Sequence, residues 1–214
     1  MKEFDFYQVA GVIAPGMVVI VGGVLLFFPE QQQGILSISS VSIGSLGLGM
    51  ILAYVAGQLL QAVGNGLENI YWWFWGGMPT DWVRTYKREL ISPHQRDLLQ
   101  KRVGAMLNDE KFTLSADLKP RRWYSITRQV YAVIEAENVN RRVEIFNGNY
   151  GLCRGIAAAF LLLLVGVITT DYQAWTIEVA LGVLLGLAVY RMHRWGRTYG
   201  RELFVQYLAL KGEQ

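Results

Sequence analysis

Four long apolar stretches constrain this chain most strongly, because all 20 of its lysine and arginine residues lie outside them. The stretches cover residues 9–28, 41–63, 155–170 and 175–190. The first two have the roughly 20 apolar residues that a membrane-spanning helix needs, and the last two reach that length with tilt or with flanking side chains that snorkel. The sequence therefore predicts an all-α polytopic membrane protein with four transmembrane helices.

The basic residues are distributed asymmetrically around these stretches. Lys2, 14 residues within 84–154 and five within 191–211 account for all of them, and the short connections 29–40 and 171–174 contain none. Because basic loops stay on the cytoplasmic side of a membrane, both termini and the central segment are predicted to be cytosolic, at a bacterial inner membrane. The predicted order is a transmembrane hairpin (1–68), a basic helical cytosolic insert (69–154), a second hairpin (155–190) and a juxtamembrane amphipathic tail (191–214).

Local signals divide the chain further. Pro15 predicts a broken turn in the first crossing, tolerated where a neighbouring helix covers the freed carbonyls. In the insert, one helix is expected from Thr80, and Ser92 and Gln95 form a capping box for another that ends near Asn108. Residues 109–122 read as a loop. From 123 to 170 we expect a long helix whose single breaker is the sequence Asn-Gly-Asn at 147–149.

A stripe of polar side chains runs along the second crossing. Spacings of four and three confine it to a face roughly 80° wide, and its members are Tyr54, Gln58, Gln61, Asn65 and Glu68. Unsatisfied amides are costly in hydrocarbon, so the stripe needs partners. One interpretation is a hydrogen-bonded seam between helices of one chain; the other is the lining of a pore or polar cavity, with Glu68 at its cytosolic mouth.

Small residues repeat every four positions on another side of the same helix. This pattern lets a second helix approach closely, and the predicted packing residues are Ser45, Gly49, Ala53 and Gly57, with Gly182 and Gly186 in the fourth crossing. Arg154 begins the third crossing at the depth where Glu68 ends the second. An ion pair between them is reasonable, although snorkelling of Arg154 to lipid phosphate is the preferred interpretation.

Two groups of basic residues offer interaction surfaces. An anion such as a nucleotide or oligonucleotide is the candidate ligand of the first group, which is Lys119, Arg121, Arg122, Arg128, Arg141 and Arg142. Solvation of a helical surface is the plainer interpretation of the same residues. The second group, expected with Arg154 at the lipid interface because aromatic residues lie among the basic ones, is Arg191, Arg194, Trp195, Arg197 and Arg201.

Motifs of catalysis and metal binding do not occur in the sequence. His94 and His193 belong to no HExxH motif, and neither a phosphate-binding Walker loop nor a GxSxG nucleophile elbow is found. The single cysteine, Cys153, excludes an intramolecular disulfide framework. We therefore expect no cofactor, no metal and no enzymatic activity. One enzyme alternative is a lipid-head-group-modifying site that combines Gln58, Asn65, Glu68 and Arg154.

At the level of architecture, the four short crossings, the basic helical insert and the polar second crossing resemble the small multi-spanning membrane effectors of bacterial antiphage defence systems. That resemblance implies a homo-oligomer in the inner membrane that responds to a nucleotide or oligonucleotide. The resulting hypothesis is a channel or pore, lined by the second crossing and gated through the insert by assembly or by an anionic ligand. The alternative from another class is a non-conducting scaffold that presents the insert to a cytosolic partner protein.

Overall fold

The structure, a computed structural model, describes residues 6–28, 30, 43–170 and 175–210. Of the two short connections 29–40 and 171–174, the structure therefore describes only residue 30. The part that is described folds as α-helices joined by turns, without a strand. The helices are α1 (Phe6–Phe27), α2 (Ile43–Phe74), α3 (Pro79–Thr85), α4 (Pro93–Met106), α5 (Pro120–Ala136), α6 (Arg141–Thr169) and α7 (Trp175–Ala209).

Among the described residues, three helices are long and apolar enough to cross a membrane. These candidate spans begin at Leu46, Arg141 and Trp175, in α2, α6 and α7, and α1 contributes a shorter apolar run, Gly11–Phe27. The all-α class predicted from the sequence is thereby confirmed, and the count of four crossings stays a prediction. The chain divides into two compact units, one comprising Met1–Asn69 with Gly148–His193 and the other Ile70–Asn147 with Arg194–Gln214. We call them the membrane unit and the insert unit.

Close backbone contact builds the membrane unit. A Cβ atom added to Gly16 would overlap the carbonyl of Ala53, and one added to Gly57 would overlap the carbonyl of Val12, so α1 and α2 touch through their backbones. On the side facing α6, Pro15 packs on Gly155, with its Cγ 2.7 Å from the position of an added Cβ. Small residues thus lie at these contacts and let the helices approach closely, as is usual between helices in lipid.

Large aromatic residues build the core of the insert unit instead. Trp72 and Trp82 meet edge to face with ring centroids 5.9 Å apart, and Trp123 stacks on Phe204 at 5.8 Å. All four of these side chains are buried. Because Phe204 belongs to α7, the segment predicted as a separate juxtamembrane tail packs within the same unit as the insert.

Three helices end in the same hydrogen-bonding pattern, the Schellman motif. In α5 the amide of Asn138 donates to the Glu135 carbonyl at 3.0 Å and that of Val139 to the Ile134 carbonyl at 3.1 Å. Asn138 has φ 56°, a left-handed conformation that asparagine tolerates better than most residues. Equivalent bonds close α2 at Gly76 and α4 at Asn108.

The break in the long helix lies elsewhere than predicted. The capping box of Ser92 and Gln95 is confirmed, with both of its hydrogen bonds present. The predicted helix over 123–170 is wrong in its continuity, because it divides at Asn138 into α5 and α6. Helix α6 then passes through Asn147-Gly148-Asn149 without interruption. The Gly148 carbonyl lies 4.0 Å from the position of a Cβ added to Gly11 of α1.

Candidate functional site

A proline in α1 creates the first element of a polar network in the membrane unit. Pro15 has no N–H, so the carbonyl four residues earlier, that of Gly11, loses its helical donor. The side-chain Nε2 of Gln61 in α2 donates to this carbonyl oxygen at 3.2 Å. A neighbouring helix therefore covers the freed carbonyl, as the sequence led us to expect, and the hydrogen bond fixes the rotation of α2 about its axis.

The same glutamine continues the network to α6. Its Oε1 accepts a hydrogen bond of 2.8 Å from Nη2 of Arg154, and Nη1 of Arg154 donates to Oε2 of Glu68. The Glu68 and Arg154 side chains are only 12% and 20% exposed, so both charges are largely desolvated together. The ion pair considered from their matching depth is confirmed, and it is observed in place of the preferred snorkelling of Arg154.

Packing leaves room for the arginine. Its Cγ lies 3.2 Å from the position that a Cβ would take on Gly64, so a larger residue there would press on its side chain. The Arg154 Cζ atom lies 5.9 Å from the centroid of the Tyr150 ring, one turn earlier in α6. Removing one partner of a buried ion pair costs about 3–5 kcal/mol, because the other charge stays buried and unpaired. The network therefore ties α1, α2 and α6 together strongly.

The polar stripe of α2 divides into two parts. Gln61 and Glu68 turn toward the network, whereas Tyr54, Gln58 and Asn65 are exposed on the surface of the single chain. Within the described residues, neither Gln58 nor Asn65 has a hydrogen-bond partner in the protein. Large apolar side chains of α2 are exposed as well, with Ile51 62% and Leu59 69% exposed. One helix thus carries both an internal seam and an outward amide surface.

The residues predicted for helix packing also divide. Ala53 is fully buried and Gly57 touches α1. At Gly49, Gly182 and Gly186, an added Cβ would meet no atom within 4 Å among the described residues, so these glycines make no close helix contact within one chain. The side chain of Ser45 lies outside the described ones.

The basic residues predicted to bind an anion lie on the surface of the insert unit. Arg122 pairs with Asp109 at 3.3 Å and Arg142 with Glu202 at 3.2 Å, and these exposed guanidinium groups are partly neutralised. The others have no ion pair in the described part of the chain and are exposed. They are Lys119, Arg121, Arg128 and Arg141.

The residues predicted for the lipid interface behave differently from one another. All four arginines of that group in α7 are exposed: Arg191, Arg194, Arg197 and Arg201. Trp195, by contrast, stacks on Phe146 of α6, with ring centroids 5.6 Å apart and planes inclined by 29°. This tryptophan therefore contacts α6 within the insert unit, and a lipid contact of these residues stays a prediction.

Sequence reasoning missed three arginines that hold the insert unit together. Nη1 of Arg84 donates to the carbonyls of Ala116 at 3.4 Å and Leu118 at 2.9 Å. Arg96 donates to the carbonyls of Val83 and Leu114, and Arg102 donates to those of Tyr207 and Leu210 at the end of α7. The sequence showed these three arginines only as members of the basic residues of the insert. Contacts with carbonyls distant along the chain leave no local sequence pattern.

The described residues contain no group of three or more His, Cys, Asp or Glu side chains that could hold a metal ion. The four residues of the enzyme alternative are not joined in one site, since Glu68 and Arg154 bind each other while Gln58 and Asn65 face outward. Comparison with protein-family models, with curated proteins and with solved structures gave no match.

Proposed function

We propose that this protein is a homo-oligomeric channel of the bacterial inner membrane, with four crossings, cytosolic termini and a cytosolic insert unit. One observation carries the proposal: Gln58 and Asn65 lie exposed and without a protein partner on a helix of membrane-spanning length. An amide in hydrocarbon without a hydrogen bond costs several kcal/mol. The amides therefore need water or a second copy of the chain beside them.

Water beside Gln58 implies a polar path between copies. Four crossings in one chain enclose little space, whereas identical chains around a cyclic axis can surround an aqueous path. Gly49, Gly182 and Gly186, which have open space around them in one chain, are the places where neighbouring copies approach. In this arrangement Tyr54, Gln58 and Asn65 line the path, and the apolar residues that flank them contact neighbouring helices.

The internal network gives α2 the rigidity that such a lining requires. Gln61 is one turn from Gln58, and it is bonded to α1 and α6 at once. Holding Gln61 in place directs Gln58 and Asn65 away from the chain's own core. Loss of the Glu68–Arg154 pair would remove one of the bonds that hold α2 against α6.

The insert unit supplies the proposed control. Lys119, Arg121, Arg128 and Arg141 offer unpaired positive charge, and copies gathered around an axis concentrate it. An anionic nucleotide or oligonucleotide is the ligand class that this charge attracts, and a role in antiphage defence follows from the architectural resemblance. The second candidate, a scaffold that binds a partner protein through the insert unit, is favoured by the same exposed charge and predicts no conduction.

Ion flux from liposomes tests the channel directly. We expect purified protein to release a trapped ion, and Gln58→Leu to reduce the rate at least tenfold while the particle keeps its oligomeric size. Val55→Leu, an exposed apolar change on the same helix, is the matched control and should conduct as the parent does. A monomeric particle, or equal flux in the two variants, would contradict the proposal. Assembly without any flux would favour the scaffold.

A further inference from the structure

The insert unit contains a small cavity lined by α3, by the start of α4 and by the segment between them. Its volume is about 200 Å³. The apolar lining residues are Trp82, Val83, Leu90, Ile91 and Pro93, and the other lining residues are Tyr86, Arg88, Glu89 and Arg96. Two guanidinium groups and one carboxylate leave a net positive charge in the lining.

Aromatic rings hold the two guanidinium groups at this cavity. The Cζ atom of Arg88 lies 4.2 Å from the Trp75 ring centroid and 5.6 Å from that of Trp82. The Cζ atom of Arg96 lies 3.8 Å from the Tyr86 ring, while its Nε and Nη2 donate to backbone carbonyls.

Neither arginine is neutralised within the described residues. No carboxylate oxygen there lies within 4.0 Å of either guanidinium group, and the observed ion pairs all involve other arginines. Guanidinium groups oriented by rings rather than by acids keep their full charge for an anion, and the planar donors of Arg88 match phosphate oxygens in pairs. Arg96 keeps Nη1 for the anion, since its Nε and Nη2 already donate to carbonyls. The cavity therefore favours a phosphate group.

Exposed aromatic residues next to the cavity indicate where its ligand comes from. Trp73 and Phe74, in the last turn of α2, are each 74% exposed, and side chains of this kind concentrate at the head-group level of membranes. The adjacent Trp72 contacts Trp82, which lines the cavity. The end of a helix that is long and apolar enough to cross a membrane therefore contacts a residue that lines the cavity.

We propose that this cavity binds the phosphate of an anionic phospholipid, with Arg88 and Arg96 on the phosphate and the apolar wall against the glycerol and the first acyl carbons. Its volume is below the roughly 300–1,000 Å³ of pockets that enclose drug-sized ligands, so a head group fits better than a whole nucleotide. Anionic lipids are abundant in the cytoplasmic leaflet and attract basic groups there. The site needs neither conduction nor assembly.

Thermal unfolding of the full-length protein in detergent tests this site, because a ligand that binds the folded state raises Tm. The probes are dioctanoyl phosphatidylglycerol, dioctanoyl phosphatidylcholine and free glycerol 3-phosphate. Phosphatidylglycerol should raise Tm saturably and bind at least tenfold more tightly than the other two. Equal binding of phosphatidylcholine would overturn the role of charge, and equal binding of glycerol 3-phosphate would overturn the lipid source.

Variants place the ligand in the cavity. Arg88→Gln should weaken phosphatidylglycerol binding at least tenfold, whereas Lys111→Gln, an exposed change outside the cavity, should leave it as in the parent. Glu89→Gln removes the single negative charge of the lining and should tighten binding at least twofold, which gives a readout even if Arg88→Gln does not fold. Unchanged affinity in Arg88→Gln or in Glu89→Gln would overturn the proposal.

Discussion

The arginines of the membrane unit and of the insert unit bind different kinds of hydrogen-bond acceptor. In the membrane unit, Arg154 meets a carboxylate and a side-chain amide. In the insert unit, Arg96 and Arg102 donate hydrogen bonds to backbone carbonyls. Arg84 donates to two backbone carbonyls and to the Asp81 carboxylate. Carbonyls in the interior of a helix are already satisfied by the helix, so an arginine among helices must find side-chain acceptors. Turns and helix ends provide free carbonyls instead.

Packing differs in the same sense. Glycine and proline bring backbones together in the membrane unit, whereas tryptophan and phenylalanine fill the insert unit. Without a hydrophobic driving force between helices in lipid, close approach and hydrogen bonds determine stability. In water, large buried apolar side chains do. The comparison predicts that substitutions at the close glycine contacts are most damaging in the membrane unit. In the insert unit, substitutions of the arginines that bind backbone carbonyls should be most damaging.

The largest effect is expected at the contact between α1 and α2. Gly16→Leu places a side chain where the Ala53 carbonyl lies, and because neither backbone can move without separating the helices, we expect loss of folded protein. Gly23→Ala is the matched control in the same helix, since no described atom lies within 4 Å of its added Cβ. Size-exclusion profiles in detergent report the outcome; a normal profile for Gly16→Leu would refute the backbone contact.

The next effect concerns the ion pair of the membrane unit. Arg154→Met leaves Glu68 buried and unpaired, so we expect a loss of about 3–5 kcal/mol in the free energy of unfolding. Combining it with Glu68→Gln should restore part of that loss, because no buried charge remains. Glu178→Gln, an acid of α7 with no ion pair in the described residues, serves as the control. Additive losses in the double variant would show that the two charges act independently.

A smaller effect is expected in the insert unit. Arg84→Gln removes the hydrogen bonds from a charged group to the carbonyls of Ala116 and Leu118. A hydrogen bond of a charged group contributes about 1.5–3 kcal/mol to the free energy of unfolding. The shorter side chain also separates from Asp81. Lys111→Gln, fully on the surface, should change stability by no more than about 0.5 kcal/mol. Tryptophan fluorescence during thermal unfolding measures both, and equal stability of the two variants would remove the structural role of Arg84.

The sequence predicted what local chemistry determines. The capping box of Ser92 and the partner for the carbonyl that Pro15 frees follow from rules about neighbouring residues. Matching depth made a pair of Glu68 with Arg154 reasonable, although snorkelling of Arg154 was the preferred interpretation. Asn138 offered a readable signal as a left-handed helix end, whereas the sequence Asn-Gly-Asn at 147–149, which predicts a break, lies inside α6.

The outward surface of α2 could be predicted only in part. Periodicity placed Gln58, Gln61 and Asn65 on one face, but a face roughly 80° wide is broad enough to divide between two environments. Which residues turn inward depends on the positions of Gly11 and Arg154. The carbonyl contacts of Arg84, Arg96 and Arg102 depend likewise on the packing of the whole insert unit, and composition gave only their charge.

Water accessibility at position 58 tests the central claim most directly. In a Cys153→Ser background, Gln58→Cys and Leu59→Cys place thiols at neighbouring positions that are both exposed in the single chain. If copies assemble around a polar path, a small charged thiol reagent added to intact membranes should modify position 58 at least tenfold faster than position 59. Equal rates at the two positions, or no reaction at position 58, would contradict the account.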